Sequence, residues 1–351
     1  MKKKNLFIGL ALSLAVTGCG KEALENTNTN VKEEVKQEEN EEVKEAKTEK
    51  KDESKVIYAS FYPIYNLTKQ IAGDKFDVKA FNSLTTESHD FEPSAKEIAE
   101  LSESQLIFMN GAGMEDWKDD VNETIDISMV DTSESLNLIK ADHDHEDAED
   151  HDHEDAEDHD HDHDHDHEEG EHHHHHHGEF DPHTWLSPVN AKAQAKVIAD
   201  KLSEIDPANK DYYQKNYEKI AKEFDEIINE YKEKFAKVEN NKFIVPHEAF
   251  GYVARDFGLE QIPLASLTST ADPDAKVMKE VTDLAKADKI RTVFYEKGGS
   301  DKAAKTIAGE IGADTAALST MEFASQDEID KEVTIQEIIK ENLENIYKSL
   351  A

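Results

Sequence analysis

The sequence predicts an α/β protein of two lobes, each with a mainly parallel sheet flanked by helices, joined by one long helix that leaves a cleft between them. Three observations carry this prediction. Short continuous apolar runs alternate with helical periods twice over, once from Val56 to about residue 134 and again from Lys242 onward. A helical stripe longer than one small domain needs lies between the two series. The few histidines outside one dense tract fall at predicted strand ends or loop mouths. Continuous apolar strands alternating with helices mark a parallel sheet covered on both faces.

In the first series, "VIYASF" has the β-branched and aromatic content of a buried strand. "YNLTKQIAGD" reads as a helix stopped near Gly73 and "FDVKAF" as a second strand. "SAKEIAELSES" is a helix, "QLIFMNG" a third strand and "ISMVDTSE" a fourth. Further on, "PVNAKAQAKVIADKLSEIDP" is a helix broken at Pro207. The long helix, about 208–237, then carries Tyr213, Tyr217, Ile220, Phe224, Ile227, Tyr231 and Phe235 at steps of three and four. Such a stripe is buried along its length, and the helix would reach on the order of 45 Å, enough to touch both lobes.

The second series opens with strand "KFIVP", helix "EAFGYVARDFG", strand "QIPLASL" and helix "DAKVMKEVTDLAKAD". Strand "RTVFYE", helix "DKAAKTIAGEIG", strand "TAALST" and a last helix across "TIQEIIKENLENIYKSL" complete it. The predicted organisation is therefore an N-terminal lobe over 55–205, a linking helix over 206–238 and a C-terminal lobe over 239–351.

The N-terminus has the pattern of a processing signal. "MKKKNLFIGLALSLAVTGCGKE" has a basic head, an apolar run too short to span a bilayer, and "VTGC" at its end. That ending resembles the lipobox of bacterial lipoproteins, which implies a signal peptide over 1–19 and lipidation of Cys19. Cys19 is the only cysteine, so it has no disulfide partner within the chain. Residues 20–54 alternate Lys and Glu without an apolar face and read as a disordered, charged stalk.

Histidine is distributed unevenly. Of 18, 15 fall in one insert at 141–178: His143, His145, His151, His153, His159, His161, His163, His165, His167, His172, His173, His174, His175, His176 and His177. Imidazole alternates with carboxylate there, a composition that cannot form a packed core but is dense in ligands for borderline metals. The final six histidines continue this pattern in mid-chain, unlike a terminal tag. The formal charge of −39 argues against nucleic acid as a partner. Setting aside the 18 acids of residues 142–171 leaves −21, a field attractive to a divalent cation.

The other three histidines are His89, His183 and His247. His247 follows the strand "FIVP", His89 lies in the loop after "FDVKAF", and His183 sits where the chain re-enters the fold after the insert. Open parallel sheets bind ligands outside the carboxyl ends of their strands. An isolated histidine is more often a hydrogen-bonded core or surface residue, but three at such positions suggest one shared site. Zinc takes four ligands, so a carboxylate would complete the set. Glu296, ending "TVFYE", and Glu322, in "STMEF", are both placed to supply it, and spacing does not separate them.

At these residues the chain resembles the metal-binding solute-binding lipoproteins of ABC transporters for zinc and manganese, in particular the zinc-uptake branch with a His-rich loop. "YPIYNLTKQIAGD", "SHDFEPSAKEI", "DPHTWLSPVNA" and "VPHEAFGYVARDFGL" carry the likeness, which covers roughly 56–140 and 179–350. It implies two α/β lobes, one rigid connecting helix and a metal buried in the cleft between the lobes. It also implies His89, His183, His247 and Glu322 as ligands, the last because "STMEFA" stands where that branch commonly has "NPLEGL". Glu296 would then be the alternative fourth ligand or a supporting acid, and Asp181 and Trp185 would support His183.

The expected function is high-affinity Zn2+ binding outside the cytoplasm and delivery to an ABC transporter permease. The expected form is a monomer, lipid-anchored at the outer face of the bacterial cytoplasmic membrane, with the insert collecting zinc for the cleft. A third imidazole in place of a carboxylate favours zinc over manganese. A zinc hydrolase is disfavoured, because "HEAFG" lacks the second histidine of a zincin helix and four protein ligands leave no place for a nucleophilic water. The alternatives are a zinc-buffering surface lipoprotein, an adhesin, or a manganese-binding homologue.

Overall fold

The structure is a computed structural model that describes residues 55–141, 178–267 and 273–351. The expectations for the signal peptide, Cys19, the stalk and the 15 histidines of the insert lie outside the described residues. The first lobe runs β1 (Val56–Ala59), α1 (Tyr62–Ala72), β2 (Asp77–Ala80), α2 (Ala95–Leu101), β3 (Leu106–Met109), α3 (Lys118–Thr124) and β4 (Ser128–Asp131). Its sheet has the order β2-β1-β3-β4 and every pairing is parallel. Helices α4 (Pro188–Ile205) and α5 (Lys210–Phe235) follow.

The second lobe runs β5 (Lys242–Val245), α6 (Gly251–Phe257), β6 (Glu260–Pro263), α7 (Ala275–Ala287), β7 (Thr292–Glu296), α8 (Lys302–Ile311) and β8 (Asp314–Leu318). Then come α9 (Gln326–Asp330) and α10 (Ile335–Leu350). Its sheet repeats the first in the order β6-β5-β7-β8, again wholly parallel. In each sheet the strand order reverses between two central strands, β1 and β3 or β5 and β7. Ligands bind at the carboxyl ends of such switch points.

Local chemistry sets the helix boundaries. Pro63 stands in the first turn of α1 and Gly73 ends it at φ +56°. Ser187 caps α4 by accepting from the N–H groups of Val189 and Asn190, with Pro188 in the first turn. Helix α5 is 26 residues long, about 39 Å, somewhat shorter than the 208–237 expected, because 207–209 form a 3₁₀ turn instead. Its stripe is buried at Tyr213, Ile220, Phe224, Ile227, Tyr231 and Phe235, while Tyr217 is only half-buried.

Helix α5 packs on α1 and α4 of the first lobe and on α6 and α10 of the second. One apolar cluster accordingly runs from Ile57 and Leu67 through Ile198, Phe224 and Tyr231 to Phe243, Phe250 and Leu343. The C-terminal segment also returns to the first lobe, where Tyr62 Oη and Asn66 Nδ2 both donate to the Val333 carbonyl. These contacts fix the two sets of strand ends relative to each other.

Candidate metal centre

His89 sits in the loop after β2, whose shape rests on buried Asn82. The Asn82 amide donates to Ser88 Oγ at 3.1 Å. The Glu87 carboxylate accepts from the backbone N–H groups of Ser88 (2.7 Å) and His89 (3.2 Å), and so turns the imidazole towards the second lobe.

His183 is completely buried, and Asp181 orients it twice over. Asp181 Oδ1 accepts from the His183 backbone N–H at 2.9 Å and from Nδ1 at 2.8 Å. A carboxylate only accepts, so Nδ1 carries the proton and Nε2 is left to face the cleft. Asn110, just past β3, braces the flanks of this histidine. Its amide donates to the Pro182 carbonyl at 2.8 Å, and its Oδ1 accepts from Thr184 Oγ1 at 2.7 Å and Gln194 Nε2 at 2.9 Å.

His247 leaves the end of β5 and Glu322 the loop after β8, so both come from the second lobe. Glu322 Oε1 lies 3.2 Å from His247 Nε2, 3.3 Å from His183 Nε2 and 3.7 Å from His89 Nε2. The Nε2 atoms of His89 and His183 are 3.2 Å apart. A tetrahedron with zinc–nitrogen bonds of 2.0–2.1 Å has edges of about 3.3 Å. Three of the six edges of the His89–His183–His247–Glu322 set therefore lie at the length zinc requires and a fourth is longer, at 3.7 Å. His247 meets the set through Glu322 and stands outside the trio of His89, His183 and Glu322 whose ligand atoms lie within 4.8 Å of one another. Three imidazoles and one carboxylate also form a donor set suited to a borderline divalent cation.

Glu296 occupies a different position. Its Oε1 accepts from Thr320 Oγ1, and it groups with Glu87 and Glu322 in a trio of carboxylates whose ligand atoms lie within 4.8 Å of one another. The trio of His89, His183 and Glu322 meets the same limit. The geometry thus brings Glu322, rather than Glu296, against the imidazoles. Trp185 is fully buried, 5.3 Å from the His183 ring between centroids, and its indole N–H donates to the Thr320 carbonyl at 2.7 Å.

The electrostatics reflect this crowding. Burial alone would hold His183 neutral, but its bonds to Asp181 and Glu322 outweigh that and lift it to about 9. Burial likewise opposes ionisation of Glu322, yet the bonds from His183, His247 and His89 bring it well below the usual carboxylate range. Glu87 is pushed up to about 8 by burial and then by the Glu322 charge, and Glu296 is raised for the same two reasons. Metal-free, the cluster therefore holds protons that an incoming cation displaces.

Glu87 and Asn110 are not among the site residues expected from the sequence. Glu87 carried a legible signal, because "ESH" places an acid two residues before His89 as "DPH" places Asp181 before His183. Asn110 carried none beyond its place at a strand end.

Two parallel-sheet lobes that enclose a buried histidine–carboxylate cluster define a metal-binding solute-binding protein. The chain belongs to the ZnuA family, described as zinc-uptake complex component A, periplasmic, whose model matches residues 57–349. It is thus a zinc-binding, extracytoplasmic component of a zinc-uptake system. The chain is 33% identical to the high-affinity zinc uptake system protein ZnuA of Bacillus subtilis (strain 168), over 99% of this chain and 98% of that protein. It is 32% identical to the zinc-binding lipoprotein AdcA of Streptococcus pneumoniae (strain R6) over 84% of this chain, and it spans about half (55%) of that longer relative. Among solved structures, the laminin-binding protein Lmb of Streptococcus agalactiae matches with a TM-score of 0.69 and 29% identity, covering 84% of this chain and 99% of that one. The Zn(II)-bound ZnuA-like domain of S. pneumoniae AdcA matches at 0.67 and 26%, covering 84% and 98%. Among the described residues, no helix is long and apolar enough to cross a membrane.

Proposed function

We propose that this protein captures Zn2+ outside the cytoplasm through His89, His183, His247 and Glu322, and delivers it to the permease of an ABC transporter. The observation that carries this reading is the approach of one Glu322 oxygen to three imidazole nitrogens at 3.2–3.7 Å, in a cleft where His183 and Glu322 are almost wholly excluded from solvent. Glu296 and Glu87 lie behind Glu322 as supporting acids, and Asp181 and Trp185 hold His183 and the Thr320 loop. Four protein ligands fit a carrier rather than a catalyst, which keeps a coordination position open. The lobes are assigned to 55–205 and 239–351, with 206–238 as the helix that links them.

The His-rich insert is assigned an accessory role, collecting zinc and raising its concentration beside the cleft. Cys19 is assigned as the lipidated residue that tethers a monomeric protein to the outer face of the membrane. The test is a competitive zinc titration of the chain with and without residues 142–177, each also carrying His247→Ala. One tight site that survives deletion of the insert and is lost with His247 supports the reading. Loss of tight binding with the insert overturns it in favour of a zinc buffer. The likeness to Lmb, a bifunctional protein with adhesin and metal transporting activity, favours adhesion as a second reading, tested by direct laminin binding.

A further inference from the structure

The second lobe reaches across to His183 through a residue that is not a ligand. Helix α6 begins four residues after His247, and its first turn abuts Asp181. A Cβ on Gly251 would stand 2.8 Å from Asp181 Oδ2, so any side chain there would have to displace the carboxylate. Next to it, fully buried Tyr252 donates its hydroxyl to the Asp181 carbonyl at 2.6 Å. The Tyr252 phenol oxygen in turn accepts from the backbone N–H of Ile139 at 3.2 Å.

Those two partners belong to a small antiparallel ladder at the place where the chain leaves for the insert and returns from it. Asp181 N–H donates to the Ile139 carbonyl at 2.9 Å, Ala141 N–H to the Glu179 carbonyl at 3.0 Å, and Lys140 pairs with Phe180. One phenol oxygen therefore ties both arms of the ladder to the second lobe. Arg255, one turn on, supports it: its guanidinium lies 4.9 Å from the Tyr252 ring centroid and donates to the Asn137 carbonyl at 2.5 Å. Burial keeps the phenol well above its ordinary pKa, so it remains a donor throughout the physiological range.

We propose that Tyr252 is a positioning residue for the zinc site: its hydroxyl holds Asp181, and through it the His183 imidazole, in register with the segment that carries His247, and so sets how fast zinc leaves. The inference rests on the reading of His183 and His247 as ligands. Removing the hydroxyl leaves all four ligands in place but cuts both bonds that join the ladder arms directly to α6, leaving the Arg255–Asn137 bond beside them. The cost should therefore fall on dissociation, at about fivefold to tenfold for the short bond to the Asp181 carbonyl alone, with association little changed.

The experiment compares the full-length chain with its Tyr252→Phe and His183→Ala variants. The slowest phase of zinc release into excess chelator is read for each, together with the visible spectrum of the cobalt(II) form. Tyr252→Phe is expected to accelerate that phase about fivefold or more while keeping the tetrahedral cobalt spectrum, and His183→Ala to abolish both. A Tyr252→Phe release rate within twofold of the parent overturns the proposal. An altered cobalt spectrum in that variant also overturns it, since the ligand set would then have changed. Indifference of both signals to His183→Ala overturns the site assignment instead. Should Tyr252→Phe fail to fold, amide exchange in the zinc-loaded parent decides the matter. Strong protection of Ile139 N–H supports the clamp, and exchange at the rate of an open chain overturns it.

Discussion

Replacing Asp181 by Asn isolates what orientation contributes to zinc affinity. The substitution keeps the side-chain shape and an oxygen acceptor but removes the charge that meets His183 at 2.8 Å. Against the opposing effect of burial, Asp181 and Glu322 lift this imidazole from 6.5 to about 9, equivalent to about 3 kcal/mol in favour of the charged ring. A zinc-bound ring is neutral and retains only the polarised Nδ1–H···carboxylate bond, so a smaller share survives in the loaded state. Partners of metal-bound histidines are typically worth 10- to 100-fold in affinity, about 1.4–2.8 kcal/mol. The predicted outcome is a Kd raised by about that factor, with the site still present. Competition against a chromophoric chelator measures it, best in a chain lacking residues 142–177 so that other imidazoles do not compete. Weakening below about threefold would refute the orienting role. Loss as complete as that of His183→Ala would mean that Asp181 itself ligates the metal.

Three further outcomes follow from the same structure. His183 (about 9) and Glu87 (about 8) both sit above their ordinary values, so the folded state binds protons that the unfolded chain would release. The His183 contribution is intact below about 6.5 and is lost as pH rises to about 9, while that of Glu87, whose charged form burial penalises, is lost from its ordinary 4.5 up to about 8; the depressed Glu322 acts only below about its ordinary 4.5. Calorimetry of the metal-free protein should therefore show Tm falling from pH 6 to 9, and a flat or rising Tm would contradict this. Gly73→Ala imposes a side chain at φ +56° with its Cβ 2.1 Å from Tyr212 Oη, and denaturant unfolding should show a loss of at least about 1 kcal/mol. Phe224→Ala empties a fully buried position on α5; a cost of about 3–5 kcal/mol is expected by the same assay, and a cost below 1 would mean that the helix is not the shared core of the two lobes.

What the sequence made legible follows from how each element is stabilised. "LIFM" is buried at every position of β3, and an unbroken apolar run announces such a strand. Helix α5 showed itself because a buried stripe on one face must repeat at steps of three and four. Helices α3 and α9 went unseen. Val121 is the single buried residue of α3 and α9 has none, so neither has an apolar period; α9 is held by a Ser325–Glu328 capping box instead. The three lone histidines were conspicuous by rarity, yet acids are everywhere in this chain. Spacing does not separate Glu322 from Glu296 and only the family resemblance points to Glu322; the loop after β8 that presents it, where Met321 adopts φ +59°, has no local pattern in "STMEF" to encode it. The supports are harder still to read, since Asn110 and Tyr252 act on backbone carbonyls 72 and 71 residues away.

The loops that carry the proposed ligands are also where the lobes grip each other. Ser88, next to His89, donates to the Glu322 carbonyl at 2.7 Å. Trp185, two residues after His183, donates to the carbonyl of Thr320, two residues before Glu322. Tyr252, five residues after His247, holds the carbonyl of Asp181, two residues before His183. Each first-lobe histidine segment is thus bonded to a second-lobe ligand segment through a neighbour that keeps its own side chain out of the metal's coordination sphere. The consequence is thermodynamic. Contacts present in this arrangement pre-order the proposed ligands, so zinc need not supply that ordering when it binds. Reciprocity then requires that whatever separates the lobes weakens zinc by the amount that zinc resists the separation. On the proposed delivery, a permease that pries Ser88, Trp185 and Tyr252 from their carbonyl partners would release the metal without touching any of the four proposed ligands.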